Sequence, residues 1–220
     1  MTSQILGQLP TLFDGANLPG AQPTAAPGDI FEVYIFGLVL EAARREQATI
    51  AYENVTGPFQ GVITFRTSPG RIWSTAEPYT HAILQFPNKS PLELHLGIYL
   101  EGKSGRMHEA DVVVLPRTEA ITCRGAQAYP KAARSLCTIE CKCYDEPLGI
   151  NLGRSFIGLS AEFGKERAFF VTNQSEGTIA RLLDEHKRKW EHSIVPPSVF
   201  NISRLVGSIQ TVFKSYKVGK

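Results

Sequence analysis

A glutamate and a lysine lie two residues apart inside an otherwise apolar segment. Glu140 and Lys142 alternate with Ile139, Cys141 and Cys143. Because alternate side chains of a β-strand point to the same face, a strand here would project the acid and the base together. Charges in the middle of a buried strand are costly to desolvate unless they have partners. The segment therefore predicts a ligand-holding site, with a structural ion pair on an edge strand as the alternative.

A second carboxylate opens another apolar segment earlier in the chain. Asp111 directly precedes residues 112–115, which read Val-Val-Val-Leu and are typical of a buried strand. We expect two adjacent strands to present Asp111 and Glu140 to one point. The alternative for Asp111, taken alone, is a structural residue at the start of a strand.

These residue types suit a hard divalent cation. Mg²⁺ and Mn²⁺ take oxygen ligands, usually one or two carboxylates together with water and a substrate phosphate. We expect Asp111 and Glu140 to hold the ion, helped by the backbone carbonyl of Cys141. The metal would polarise a phosphoryl oxygen and lower the pKa of its bound water. Lys142 would orient or deprotonate that water and offset negative charge on the attacked phosphate.

Asp111 before an apolar segment, followed later by Glu140-Cys141-Lys142, resembles the motif of the PD-(D/E)xK nucleases of the restriction-endonuclease-like superfamily. The resemblance covers residues 29–172, and Ala110 stands where the name of the motif has proline. It implies an α/β fold with a restriction-endonuclease-like core, a central mixed β-sheet flanked by helices in the order αβββαβ, here with extra C-terminal helices. It also implies Mg²⁺ or Mn²⁺ as cofactor and hydrolysis of phosphodiester bonds in nucleic acid.

Many members of this superfamily add a metal-facing glutamate from the first helix. Glu32 and Glu41 both fill that place here, and Glu32 is preferred because the glutamate usually lies early in the helix. The alternative for Glu32 is an ordinary helix-start residue favoured by the helix dipole. The resemblance also implies a polar residue from the helix over 148–163, which makes Arg154 a candidate phosphate contact.

Polar neighbours in the same strands are further candidates. Glu109 either supports the site from behind or pairs with Arg106 or Lys103. His108 and His95 are candidate metal or general-base groups, although a lone strand histidine is more often a packing or surface residue.

The cysteines are few and unevenly spaced. Their spacing lacks the paired C-x₂₋₄-C pattern of structural zinc sites, so buried free thiols are favoured over zinc. Four cysteines in this length also suit a reducing compartment, and we expect a cytoplasmic protein. The cysteines are Cys123, Cys137, Cys141 and Cys143.

Composition excludes several classes of protein. The chain has 220 residues, of which 43% are apolar, and 23 basic residues balance 21 acidic ones. This apolar fraction excludes a disordered chain, and no apolar run reaches the roughly 18 residues that a membrane span needs. A net charge of +2 excludes a strongly basic nucleic-acid coat protein but not a local basic patch. Lys187, Arg188 and Lys189 are candidate nucleic-acid contacts, with a solvated helix face as the alternative.

The elements that must position these residues follow from the hydrophobic pattern. Residues 1–28 are poor in charge and rich in Pro, Gly and Ala, which predicts a flexible N-terminal arm. Residues 29–175 form the expected nuclease-like core, and 176–220 the C-terminal helices that pack on it. The pattern predicts helices over 30–45, 148–163, 179–190 and 202–216, and strands over 61–65, 71–74, 80–86, 92–100, 108–115, 136–144 and 168–172.

We therefore expect a metal-dependent nuclease, with DNA as the favoured substrate and endonuclease action favoured over exonuclease action. Such enzymes serve in defence or repair, and cutting both strands with two sites would make the chain a homodimer. One alternative is a catalytically inactive module of the same fold that binds nucleic acid or a protein partner. Another is a structural zinc protein built on the cysteines.

Overall fold

The computed structural model describes residues 1–175 and 177–219. They form an α/β fold in which helices flank one mixed, eight-stranded β-sheet. The strands are β1 (Thr49–Asn54), β2 (Gly57–Pro58), β3 (Thr80–Gln85), β4 (Leu92–Glu101), β5 (Met107–Pro116), β6 (Cys137–Lys142), β7 (Ala168–Thr172) and β8 (Lys189–Glu191). The helices are α1 (Thr2–Leu12), α2 (Pro27–Arg45), α3 (Arg117–Ala126), α4 (Ile150–Phe163), α5 (Thr178–Glu185) and α6 (Val199–Lys217).

The sheet has the spatial order β2-β1-β3-β4-β5-β6-β7-β8. Neighbouring strands are antiparallel as far as β6, whereas β6, β7 and β8 run parallel to one another. Within the described residues, no helix has the length and apolar character that crossing a membrane requires.

Helix α2 is the central helix on one face of the sheet. It begins at Pro27, whose fixed φ suits the first helical position. Its middle is apolar on every side, and such a helix must be buried on every side. The sheet covers one side, and α1 and α6 cover the others in a single apolar core. A second core lies on the opposite sheet face, beneath α3, α4 and α5.

The N-terminal segment is packed, in contrast to the flexible arm expected over residues 1–28. Helix α1 buries Ile5 and Leu9 against α2. The Arg44 guanidinium donates to the Leu12 carbonyl at 2.9 Å and pairs with Asp14 at 2.6 Å, which fixes the C-terminal end of α1. The composition of residues 1–28 did not indicate this helix, because its few apolar residues lie on one face of α1.

The region between α2 and β3 also differs from the prediction. In place of the two predicted strands over 61–65 and 71–74, Val62 and Gly70 form isolated bridges, and residues 71–74 form no bridge. Ile63 and Ile72 are buried, so they anchor an irregular loop to the two cores. Strand β1 was not predicted because its residues alternate only weakly between exposed and half-buried positions.

The predicted helix over 179–190 ends early. Helix α5 stops at Glu185, and Lys187 adopts a positive φ of 51° that ends the helical path. Trp190 then pairs with Phe170 as part of β8, at the edge of the sheet. The other predicted elements are confirmed as α2, β3, β4, β5, β6, α4, β7 and α6. Helix α6 packs on α2, as expected of a C-terminal helix that covers the core.

The pairing of β5 with β6 ends before either strand does. Register pairs run from Val114 and Cys137 to Val112 and Ile139, and none follows. Both strands continue past this point, β5 toward Met107 and β6 toward Lys142. The two strands therefore leave a break in the ladder where the polar residues of both begin.

Candidate functional site

The Asp111 carboxylate lies in the break between β5 and β6. Its Oδ2 accepts a hydrogen bond of 2.6 Å from the backbone N–H of Cys141, and the residue is 5% exposed. A buried backbone donor needs an acceptor once the strand ladder has ended, and the Asp111 side chain supplies it. This contact joins the two strands at the point where the sequence predicted the site.

Lys142 connects the two predicted carboxylates. Its Nζ lies 2.6 Å from Glu140 Oε1 and 3.9 Å from Asp111 Oδ2. Burial disfavours the charged form of Lys142, but Asp111 and Glu140 outweigh it and hold the pKa of this lysine above its ordinary value. At neutral pH the side chain is therefore an ammonium that donates hydrogen bonds. Of the two roles predicted for Lys142, this favours orienting a water over deprotonating it.

Glu32 brings a further acid to the same place from the start of α2. Burial, followed by the charges of Asp111 and Glu109, raises its pKa to about 8. Burial, followed by the charge of Glu140, raises the pKa of Asp111 to about 7. The pKa of Glu109 is also raised, by burial and then by Glu140. Four acids thus interact around one lysine. We call Glu32, Glu109, Asp111, Glu140 and Lys142 the carboxylate cluster.

Two physical causes raise these pKa values: burial, which is the larger, and then the charges of neighbouring carboxylates. Carboxylates that are partly desolvated and close to one another repel, and a single ammonium does not balance four of them. A divalent cation among their oxygens would supply the missing charge, and oxygen donors are the ligands that Mg²⁺ and Mn²⁺ prefer. The donor types therefore fit the expected cofactor, with Asp111, Glu140, Glu32 and the Cys141 carbonyl as the groups that would hold it. Among the described side chains, however, the group with metal-ligand spacing is Glu53, His81 and Glu93, so the oxygens of Asp111, Glu140 and Glu32 would have to draw closer together around an ion.

A cavity of about 320 Å³ opens beside Glu140 and Lys142. Helix α4 forms its far wall with apolar side chains, including Phe156, and His108 lies at its margin. The His108 Nε2 lies 3.6 Å from Glu162 Oε2, and its ring meets Phe163 edge-to-face. His108 is therefore near the carboxylate cluster but paired with another acid.

Other predicted site residues lie elsewhere. Glu41 pairs with Arg45 at 2.8 Å, and nine residues of helix place it roughly 13 Å along α2 from Glu32. Between the two first-helix glutamates, the structure therefore brings only Glu32 to the cluster. Arg154 is exposed and bonds to Asn151 within α4 at 3.4 Å.

Lys187, Arg188 and Lys189 are not brought to the cluster either. On β8, Lys189 pairs with Phe169 of β7. Phe169 lies three residues before Thr172, which is the β7 residue that pairs with Lys142 of β6. Its Nζ donates to the Glu166 carbonyl at 2.5 Å. These basic residues therefore belong to the opposite end of the parallel strands.

The structure also contains a second group of acids that the sequence did not predict, in which Glu93 is buried and Glu53 is partly exposed. On the neighbouring strands β1, β3 and β4, two glutamates and two histidines meet two arginines of α3. We call Glu53, His81, Glu93, His95, Arg117 and Arg124 the arginine cluster.

Glu93 is the centre of the arginine cluster. Arg124 donates to both of its oxygens at 2.7 Å, and His95 Nε2 lies 2.9 Å from Oε2. Burial alone would raise the pKa of Glu93, but the hydrogen bonds from Arg124 and His95 reverse this and hold it well below its ordinary value. Arg117 donates to both oxygens of Glu53, at 2.8 and 2.9 Å. Each acid of this cluster therefore has its own guanidinium.

Part of the arginine cluster has the spacing of a metal site. Ligand atoms of Glu53, His81 and Glu93 lie within 4.8 Å of one another. Burial, then the neighbouring His95, lowers the pKa of His81 to about 3, so its ring is neutral. The charge balance argues against a cation there, because Arg117 and Arg124 already neutralise both acids. No local signal in the sequence marks this cluster, since its members come from four separate elements.

The cysteines do not form a site. All four are free thiols, and burial raises the pKa of Cys137 to about 12. Among the described residues, the one group with metal-ligand spacing contains no cysteine. Cys123, Cys137 and Cys141 are buried, as the favoured interpretation of the sequence predicts, whereas Cys143 is half-buried.

Comparison of the chain with protein-family models, with curated proteins and with solved structures finds no match.

Proposed function

We propose that this chain is a metal-dependent nuclease that hydrolyses phosphodiester bonds of nucleic acid, with DNA as the favoured substrate and Mg²⁺ or Mn²⁺ as the cofactor. The observation that carries the proposal is the meeting of Asp111, Glu140 and Lys142 where the β5–β6 ladder ends. The order of α2, β4, β5, β6, α4 and β7 along the chain supports the resemblance to the PD-(D/E)xK nucleases.

The residues of the carboxylate cluster have distinct tasks in this proposal. Asp111 and Glu140 are the principal ligands, and Glu32 completes the set from α2. The hydrogen bond from Cys141 fixes the Asp111 carboxylate, so its free oxygen is held in place before the cation arrives. When bound, the cation polarises the phosphate and acidifies its water.

Lys142 acts as an ammonium beside the reacting phosphate. With its Nζ already between two carboxylates, it can donate to the attacking water or to a phosphate oxygen. A positive charge there stabilises the extra negative charge that develops in the transition state. The cavity between Glu140 and α4 gives the substrate access to this side of the cluster.

A cleavage assay tests the proposal directly. Purified protein is incubated with plasmid, single-stranded DNA and RNA, each with Mg²⁺, with Mn²⁺ and with EDTA. We expect metal-dependent products that EDTA abolishes, and a loss of more than about 100-fold in Asp111→Asn and Glu140→Gln, since even outer-shell partners of metal ligands cost 10–100-fold.

Glu41→Gln is the matched control, because Glu41 is a glutamate of α2 outside the cluster. It is expected to cleave like the parent chain. Cleavage that resists EDTA, or full activity in Glu140→Gln, would remove the proposed mechanism. Binding of nucleic acid without any product would favour a catalytically inactive binding module.

A further inference from the structure

The loop before β3 lies against β4 on the side away from β5. The Gly70 N–H donates to the Gly97 carbonyl at 2.9 Å, and the Tyr99 N–H donates to the Gly70 carbonyl at 3.0 Å. Tyr99 in turn pairs with Glu109 across β4 and β5. The loop is therefore separated from the carboxylate cluster by a single strand, or roughly 10 Å at the usual strand spacing.

Three aromatic side chains meet at this loop. The rings of Trp73 and Tyr129 lie 4.9 Å apart and those of Tyr99 and Tyr129 lie 6.5 Å apart, both edge-to-face. All three are partly exposed to solvent. Tyr129 is held by the next residue, because the Pro130 carbonyl accepts from the Glu101 N–H at 2.8 Å. We call Trp73, Tyr99 and Tyr129 the aromatic surface.

Basic side chains border the aromatic surface. The Arg71 guanidinium is exposed and lies 5.7 Å from the centre of the Trp73 ring. Lys131 follows Tyr129 closely in the chain, and its Nζ lies 3.9 Å from Glu101 Oε1. A cavity of about 310 Å³ lies between the loop and Tyr99, with Arg71 in its wall. Flat rings, a cavity and positive charge therefore occur together beside the carboxylate cluster.

We propose that the aromatic surface stacks unpaired bases of a nucleic-acid strand whose phosphate lies at the carboxylate cluster, which makes single-stranded or locally unpaired nucleic acid the substrate class. This inference rests on the proposed nuclease function. Aromatic faces bind bases by stacking, and only an unpaired base offers its face to a protein. Binding through phosphates alone would need many basic contacts, and the net charge is only +2.

Tryptophan fluorescence tests the stacking without any cleavage. The chain has two tryptophans, so Trp190→Phe leaves Trp73 as the single reporter. This variant is titrated in EDTA with a single-stranded oligonucleotide, with the matching duplex, and with the same single strand carrying abasic positions. We expect the intact single strand to quench Trp73 and to bind about tenfold more tightly than the duplex or the abasic strand.

Substitutions test whether the preference for single strands depends on the Trp73 ring. Trp73→Ala is expected to weaken single-strand binding about tenfold, whereas Trp73→Phe retains most of it because a ring remains. Phe200→Ala is the control, since Phe200 is an aromatic residue with 76% exposure at the start of α6. It is expected to leave the affinity unchanged.

The outcomes separate this inference from the nuclease proposal. Unchanged Trp73 fluorescence, or equal affinity for intact and abasic strands, would overturn the inference even if the chain cleaves nucleic acid. Quenching of Trp73 fluorescence by single strands, without cleavage in Mg²⁺ or Mn²⁺, would support base stacking on the aromatic surface. It would overturn both the nuclease proposal and the substrate assignment.

Discussion

The carboxylate cluster and the arginine cluster each hold one buried acid, Asp111 and Glu93, among half-buried ones, yet their acids behave in opposite ways. The pKa values of Glu32 and Asp111 rise to about 8 and about 7, whereas the pKa of Glu93 falls below its ordinary value. Burial pushes all three upward. The difference comes from the partners, because Arg124 binds both oxygens of Glu93 while four acids of the other cluster interact with one lysine.

The comparison teaches that charge balance distinguishes a cation site from an ion pair better than ligand spacing does. Glu53, His81 and Glu93 have the spacing that suits a metal, but two arginines satisfy the acids. The carboxylate cluster sets four acids against the single ammonium of Lys142, and the raised pKa values of Glu32 and Asp111 show that protons take up part of the charge that a cation would otherwise balance. We therefore expect a divalent cation at the carboxylate cluster and a purely structural role for the arginine cluster.

The largest expected effect is on stability and comes from breaking the arginine cluster. Arg124→Met leaves the Glu93 carboxylate buried without its main partner. Removing one member of a buried pair typically costs about 3–5 kcal/mol of unfolding free energy. Urea unfolding measures this loss, and metal binding by the folded fraction should stay unchanged. A cost below about 0.5 kcal/mol, the value of an exposed pair, would contradict the role assigned to Arg124.

The second effect is a difference in pH dependence between the clusters. Asp111 and Glu32 have pKa values raised from 3.8 to about 7 and from 4.5 to about 8, so between these limits the folded chain binds more protons than the unfolded chain. The folded chain therefore loses stability as pH rises from about 4 to about 8. Glu93 has a lowered pKa, so its charge contributes to the stability of the folded chain at pH values above the pKa that Glu93 has in the unfolded chain. This contribution is lost as pH falls through the pKa that Glu93 has in the folded chain.

Melting temperature measured against pH, with EDTA and with Mn²⁺, separates these two contributions. In EDTA the melting temperature should fall toward alkaline pH, by roughly 2–4 °C for each kcal/mol lost. Mn²⁺ should abolish that fall because the cation replaces the protons. Asp111→Asn should reduce the alkaline fall and leave the acid side unchanged. An alkaline fall of the same size in Asp111→Asn would contradict the assignment.

The smallest effect is expected at Glu41. Its pair with Arg45 lies on the surface of α2, where both side chains are at least one-third exposed. Such helix pairs contribute about 0.3–0.5 kcal/mol, so Glu41→Gln should change stability by no more than this. A larger loss in urea unfolding, or any loss of metal affinity, would mean that Glu41 acts in the carboxylate cluster after all.

Local periodicity explains which parts of the site the sequence predicted. Glu140 and Lys142 alternate with apolar residues and Asp111 opens a continuous apolar run, so their strands and shared location follow from local pattern. The burial of Glu93 was not predicted, because its partners Arg124 and His95 neutralise it only once α3 packs on β4.

The same contrast holds for the fold. Strands β4 and β6 alternate in sequence and β5 contains a continuous apolar run, and all three are found where these patterns predict them. The edge strand β8 has three residues, too few for a periodic signal, and it forms because parallel pairing with β7 is available. Helix α1 likewise depends on a groove that α2 supplies.

Calorimetric titration with Mn²⁺ tests the central claim most directly, using the parent chain, Glu140→Gln and His81→Gln. We predict that the parent binds Mn²⁺ with release of protons, that Glu140→Gln loses this binding, and that His81→Gln retains it. Retained binding in Glu140→Gln together with lost binding in His81→Gln would contradict the account, because the cation would then belong to the arginine cluster.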